Sequence, residues 1–240
     1  MLEDGAKHRN IVRFISINDQ LHSNAYFKTG PPGLGEAAFV LTQALSSDAT
    51  TAVLLPQITA PFIAANLFQS LWCASFRPTF GNGWHKWISA AMLAGTATSL
   101  GLVHSSGAAV VASADATLLT HLLLPLTMHF GWTSAATLVN LNGSLASDRS
   151  VSVTKLIALG NSSALLATGL GVSLTLSQAS PAYGLTLAWA LAACANGLTK
   201  RVPSKTSEEG KLKKAAAVQK VLCQVGSFLC AATAMYTGFM

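Results

Sequence analysis

Hydrophobic and polar positions are separated along this chain into long blocks. Five stretches contain no Asp, Glu, Lys or Arg: residues 49–76, 87–114, 116–147, 156–199 and 221–240. A helix that crosses the hydrocarbon core of a bilayer needs roughly 20 apolar residues. Each stretch reaches that length, and a backbone in lipid must bond its own polar groups, so the pattern predicts membrane-spanning helices.

The breaks between these blocks set the predicted boundaries. Gly30-Pro31-Pro32-Gly33 ends a polar N-terminal arm over 1–31, and Gln178-Ala179-Ser180-Pro181 divides the longest block with a turn. We expect a transmembrane bundle over 32–199, a basic loop over 200–213 and a C-terminal transmembrane helix over 214–240. The predicted helices cover 34–47, 53–76, 87–105, 116–145, 155–177, 182–199 and 214–238.

Basic residues alternate between the connections. The second, fourth and sixth connections carry Lys and Arg, whereas the first, third and fifth have only Asp48 and Asp115 as charges. This alternation follows the positive-inside rule. It favours seven crossings over six, because a first helix that spans places the basic arm on the same side. The short segment 34–47, with Glu36 and Gln43, also fits a tilted span, a re-entrant piece or a surface helix.

Composition agrees with a membrane protein. Hydrophobic residues make up 51% of the chain and charged residues 10%, with a mean hydropathy of +0.46, whereas soluble domains carry about 25% charged residues. The net charge of +6 is concentrated in short connections, so it predicts topology rather than nucleic-acid binding. The four cysteines show no metal-ligand spacing. No hydrolase, metalloprotease or phosphate-loop motif occurs, so the sequence does not predict an enzyme.

Polar and aromatic side chains share one face of the fourth predicted helix. Trp132, Ala136 and Asn140 are spaced four residues apart, which places them on one side of a helix with a drift of about 40° per step. An amide buried in lipid needs a hydrogen-bond partner. We expect Asn140 to face another helix or a cavity, with Asn66 and Gln69 of the second helix as candidate partners.

Two segments carry a pattern of asparagine and tryptophan: Asn66, Trp72 and Phe76 in the second helix, and Pro125 before the Trp132-to-Asn140 face in the fourth. This pattern resembles the TspO/MBR family of tryptophan-rich sensory and translocator proteins, above all its longer, divergent branch. The resemblance implies an all-α, polytopic transmembrane helical bundle of about six or seven helices with a TspO-like core. It also implies a pocket for a hydrophobic ligand. The expected ligand-binding residues are Asn66, Gln69, Trp72, Trp132, Ala136 and Asn140.

Three histidines lie in or near predicted spans: His104, His121 and His129. A neutral imidazole ligates the metal of haem or chlorophyll, so these are candidate pigment or haem ligands. The alternative for each is a helix-end or interfacial histidine bonded to a carbonyl. His121 and His129 are eight residues apart, close to one helix face near Pro125. The cofactor stays open between a tetrapyrrole (haem or chlorophyll), a carotenoid and a lipid.

The predicted function is that of a non-catalytic integral membrane protein that binds a hydrophobic ligand, namely a tetrapyrrole pigment, a sterol or a lipid, in or on the bundle. The alternative is an accessory structural subunit of a large photosynthetic or respiratory membrane complex. A carrier lacks support, because the long uncharged blocks offer no charged group to couple an ion. Expected partners are the lipid bilayer and other membrane subunits, without nucleic acid. The expected location is an organellar membrane (thylakoid or mitochondrial) or a bacterial inner membrane.

Overall fold

Helices form along the apolar blocks because each segment satisfies its own backbone groups. The computed structural model describes residues 31–45, 49–75, 83–113, 117–148, 150–200 and 209–239. Within these ranges there are seven α-helices, one short 3-10 helix and no strand, which confirms the predicted all-α bundle. In chain order they are α1 (Pro31–Leu45), α2 (Ala49–Ala74), the 3-10 helix Gly83–Trp87, α3 (Ile88–Ser113), α4 (Thr117–Ala146), α5 (Val153–Ser177), α6 (Pro181–Lys200) and α7 (Glu209–Gly238).

The third helix is longer than the sequence predicts. α3 continues to Ser113 instead of ending at residue 105. The Ser105 hydroxyl donates to the carbonyl of Gly101 one turn earlier, and Gly107 lies against Leu123 of α4. Packing of this segment on α4 therefore offsets the low helix propensity of glycine.

Two further boundaries concern the second half of the chain. The predicted turn is confirmed, since α5 ends at Ser177 and α6 begins at Pro181, with Ala179 between them at φ 45°. α7 begins at Glu209, inside the predicted basic loop, because lysine is a good helix former and its charge does not end a helix. The N-terminal arm up to residue 30 and residues 201–208 of the basic loop lie outside the described residues.

α4 is the central helix of the bundle. It contacts α1, α3, α5 and α6. α2 packs mainly on α3, and α5, α6 and α7 pack on one another, most extensively α6 on α7. The bundle therefore consists of two groups of helices, α1–α3 and α5–α7, that share α4.

α1 packs on α4 but is short. Gly35 lies directly against the ring of Pro125, and Phe39 is buried beside Phe62 with ring centroids 6.0 Å apart. The 15 residues of α1 extend about 22 Å at the rise of an α-helix, less than the ~30 Å of a hydrocarbon core. A first crossing by residues 34–47 stays a prediction.

Two described helices are long and apolar enough to cross a bilayer by length and composition alone, Val153–Ser177 and Gly210–Gly238. Large apolar side chains are exposed on both. Those on α5 include Leu165 and Leu166, and those on α7 include Val225 and Phe228. Exposed apolar side chains on a long apolar helix are typical of a face that contacts lipid or another protein.

An ion pair joins the second and fourth connections at one end of the bundle. The Lys86 ammonium lies 2.9 Å from Oδ2 of Asp148, and the Ser144 hydroxyl donates to the Lys86 carbonyl at 2.6 Å. Hydrogen bonds from Lys86, and then from Ser150, hold the pKa of Asp148 well below its usual range. Two of the three connections predicted to share one side of the membrane therefore meet in space.

Candidate functional site

A chain of hydrogen bonds links α2, α3 and α4 near the ion-paired end of the bundle. The indole N–H of Trp72 donates to the Ser89 hydroxyl at 3.0 Å. That hydroxyl donates to Oδ1 of Asn140 at 2.7 Å, and the Asn140 amide nitrogen donates to the Ala136 carbonyl at 2.9 Å. Asn140 is buried, and these bonds satisfy both ends of its amide.

Aromatic and small side chains surround this chain of bonds. Trp132 and Ala136 are buried with Leu93 in a cluster against which Trp72 packs. The Trp132 ring also contacts Trp189 of α6, with centroids 5.8 Å apart and planes tilted by 48°. We call the set Trp72, Ser89, Trp132, Ala136 and Asn140 the tryptophan cluster. Four of its five members are predicted ligand-binding residues, and three helices bring them together.

The other two predicted binding residues lie elsewhere. The Asn66 amide donates to the carbonyl of Phe62 on its own helix at 2.9 Å, on an exposed face. Gln69 is directed to His129 of α4. The expectation that these two amides pair with Asn140 is therefore wrong. Ser89, at the start of α3, lies between Trp72 and Asn140, and its hydroxyl donates to the Asn140 amide oxygen instead.

His104 is the predicted pigment ligand with an available nitrogen. It is buried on α3, where Nδ1 lies 3.1 Å from the Thr127 hydroxyl. Its ring contacts Phe130 with centroids 5.8 Å apart. Nε2 is buried and has no hydrogen-bond partner among the described residues. A ligating imidazole needs one free nitrogen while the other is held by a second group; the nitrogens of His104 have that arrangement, and its role as a ligand stays a prediction.

His129 has both ring nitrogens engaged. Nδ1 lies 2.5 Å from Oε1 of Glu36 on α1, and Nε2 lies 3.4 Å from Oε1 of Gln69 on α2. The imidazole in this arrangement offers no nitrogen to a metal. His121 belongs to α4, but its side chain lies outside the described residues, so its role as a ligand stays a prediction.

A family model described as TSPO-like protein matches residues 34–222. The chain belongs to the TSPO-like protein family. The matched region includes the whole of α2 to α6, and with them the tryptophan cluster. Neither curated proteins nor solved structures give a match to this TSPO-like chain. The resemblance inferred from Trp72, Trp132 and Asn140 is confirmed at the level of the family.

Family membership and the apolar helices together make this TSPO-like chain an integral membrane protein. In a membrane, burying the Glu36 and His129 side chains costs free energy, and leaving either of them without its partner costs more, because ionisable groups in lipid must be paired. The two side chains are 15% and 17% exposed. They join α1 to α4, with Gln69 of α2 at the other face of the imidazole.

Sequence reasoning missed two residues of this TSPO-like bundle. Ser89 gives no signal in the sequence, because a serine at a helix start is common and its partners come from two other helices. Glu36 does give one: it is the only charged residue in the stretch 34–47. A lone carboxylate in an apolar segment predicts a buried partner, and the histidine of the facing helix supplies it.

Proposed function

We propose that this TSPO-like protein is a non-catalytic membrane protein that holds a hydrophobic ligand, a tetrapyrrole pigment, a sterol or a lipid, against the tryptophan cluster. The observation that carries the proposal is the convergence of Trp72, Trp132 and Asn140 from two helices onto one hydrogen-bonded site. Indole rings present large flat apolar surfaces at low conformational cost, which suits a planar ring ligand.

The cluster has a rigid interior and an accessible edge. Trp132 is 8% exposed, whereas the Trp189 ring beside it is 46% exposed. The hydrogen bonds from Trp72 through Ser89 to Asn140 fix the Trp72 ring, and burial holds Trp132, so binding loses little side-chain entropy. The ligand then lies along the outer edge, between the second and sixth helices and lipid.

A tetrapyrrole that carries a metal would have His104 as its candidate protein ligand, at a place separate from the tryptophan cluster, because its neighbour Thr127 lies about 20 Å along α4 from Asn140. The buried, unpartnered Nε2 of His104 is the donor, and the Thr127 hydroxyl at Nδ1 orients the ring. When bound, such a group supplies absorption of light or redox chemistry, and the protein supplies an apolar surrounding and one nitrogen.

Porphyrin titration of the purified protein in detergent tests the site. We expect Trp132→Leu and Trp72→Leu to weaken protoporphyrin binding roughly tenfold, since a lost aromatic contact of about 1.4 kcal/mol corresponds to a tenfold change in Kd. Trp84→Leu is the matched control, because Trp84 is 69% exposed on the 3-10 helix and outside the cluster. Equal porphyrin affinity in all three variants and the wild type would reject the site.

The alternative function, an accessory subunit of a photosynthetic or respiratory membrane complex, stays a prediction. Exposed apolar side chains on α5 and α7 suit lipid and a protein partner equally. Co-purification of stoichiometric membrane subunits with the chain from its native membrane would favour this alternative, and a chain isolated as a monomer would oppose it.

A further inference from the structure

The first turns of α5 and α7 lie side by side at one end of the bundle. The Lys211 ammonium on α7 donates to the Thr154 hydroxyl on α5 at 2.8 Å. Farther along the pair, Gly226 of α7 lies against Thr168 of α5. These contacts follow the same order along both helices, so α5 and α7 run parallel and begin on the same side of the membrane.

Positive charge is concentrated where the two helices begin. α5 has one charged residue, Lys155, and α7 carries four lysines and no acidic residue after Glu209. Glu209 itself is two residues from Lys211, a step that places it on another side of the helix. Asp148 at this end of the bundle already has an ammonium partner. Lys155, Lys211 and Lys214 are exposed, so their charge is available to an anion at the membrane surface.

Exposed apolar side chains continue from these lysines into the membrane. On α7, Val218 and Val225 follow Lys211 by two and four helical turns and share its face; on α5, Leu165 follows Thr154 by three turns. All three apolar side chains are exposed. Because Lys211 reaches Thr154, the two faces adjoin, and we call these five residues the α5–α7 seam. The step from Lys211 to Val225 is about 21 Å, more than the ~15 Å depth of one leaflet's hydrocarbon.

This order of charge and apolar surface fits one class of molecule. A soluble anion would use the lysines and leave the apolar face uncovered, and a zwitterionic lipid would leave the positive charge unbalanced. Anionic lipids satisfy both parts, because basic residues at a membrane surface attract their headgroups while their chains cover apolar side chains. The bond to Thr154 also holds the Lys211 ammonium across the seam before a lipid arrives.

We propose that the α5–α7 seam binds an anionic phospholipid. Its phosphate lies among Lys155, Lys211 and Lys214, and one acyl chain lies along Leu165 and Val218. The site goes beyond the proposed function, since it shares no residue with the tryptophan cluster and selects its ligand by charge.

Lipid titration of the delipidated protein, followed by native mass spectrometry, measures the selectivity. The probes are phosphatidylglycerol and phosphatidylcholine with the same acyl chains. We expect the first phosphatidylglycerol to bind at least about 25-fold more tightly, because each lysine near an anionic headgroup contributes roughly fivefold. The double variant Lys211→Gln/Lys214→Gln should lose about that factor for phosphatidylglycerol and keep its affinity for phosphatidylcholine.

A matched double variant removes the same charge from another face. Lys213 and Lys220 are two and nine residues from Lys211, which places both on the far side of α7. Lys213→Gln/Lys220→Gln should therefore keep the affinity for phosphatidylglycerol within about twofold of the wild type. Equal losses in the two double variants would leave only a general attraction to basic residues that set topology, and would overturn the site. Equal affinity of the wild type for both lipids would also overturn it.

Photo-crosslinking of the wild-type protein in nanodiscs locates the lipid without any substitution. The probe is phosphatidylglycerol with a diazirine in its acyl chain, and labelled peptides are mapped by mass spectrometry. We expect label at Leu165 and Val218 to exceed label at Leu67 and Leu71, which are exposed on α2, a helix without charged residues. Even labelling of the two surfaces would overturn the proposal. Excess glycerol 3-phosphate should not compete; if it abolished the labelling, the site would serve a soluble phosphate and the lipid would be rejected.

Discussion

Removal of either member of the Glu36–His129 pair should destabilise the protein far more than removal of both. The carboxylate and imidazole are 2.5 Å apart and mostly buried, and α4 is the helix on which α1 packs most extensively. Gln69 lies at the other nitrogen of the same imidazole. In an apolar surrounding a paired carboxylate and imidazole are favoured over either group left alone.

The expected magnitudes follow from this geometry. Loss of one partner from a buried pair costs about 3–5 kcal/mol, whereas replacement of both by apolar residues is close to neutral. Each side chain keeps about one sixth of its surface exposed, so we expect the lower end, about 3 kcal/mol, for Glu36→Leu and for His129→Leu. The double variant should cost no more than about 1 kcal/mol, which corresponds to a coupling energy near 5 kcal/mol.

Unfolding in mixed micelles at neutral pH, titrated with a denaturing detergent and followed by far-UV circular dichroism, measures all four proteins of the cycle. Gln69→Leu is a control on the same imidazole, because it removes only a 3.4 Å contact and should cost about 1 kcal/mol. Additive costs in the double variant, within about 0.5 kcal/mol, would refute the conclusion that the two groups form one buried pair.

Two further predictions concern the packing and the ion-paired end. Gly131→Val should lower the unfolding free energy in detergent by about 1–3 kcal/mol, since a Cβ there would lie 2.9 Å from Cβ and 3.0 Å from Cγ2 of Thr186. Thr186→Ala removes Cγ2 but keeps Cβ, so it should recover only part of the loss, and unchanged stability in Gly131→Val would contradict the contact. The Lys86 and Ser150 hydrogen bonds lower the pKa of Asp148, so their stabilisation is complete above the ordinary aspartate pKa of about 3.9 and is lost as pH falls below it. Melting temperatures against pH should therefore fall less steeply in acid for Asp148→Asn, and parallel curves would contradict this.

Much of the fold could be predicted because membrane burial leaves a strong mark on the sequence. Uncharged blocks longer than a bilayer crossing located α2 to α6 and the second half of α7, whereas α1, with Glu36, lies outside them; Pro181 with its preceding turn marked the break between α5 and α6. Helix ends were less predictable. Ser105 and Gly107 indicate a break locally, but contacts with a neighbouring helix keep α3 intact.

The tryptophan cluster could be predicted in part. Trp132, Ala136 and Asn140 share a face through the helical repeat alone, and their association with Trp72 came from the resemblance to the family. The bond partner of Asn140 could not be predicted, because the rotation of α3 about its axis decides whether Ser89 points to it. The Glu36–His129 contact depends in the same way on where α1 docks.

The position of α4 has a mechanical consequence. Asn140 and Asn142 are two residues apart, which turns their side chains about 200° from each other around the helix axis, and each is bonded to a different group of helices through Ser89 and Ser163. Any axial rotation of α4 that loosens one of these attachments also displaces the other. A ligand that rotated α4 by binding on one flank would therefore disturb the packing on the opposite flank, and thermodynamic reciprocity requires any such coupling to act equally in both directions.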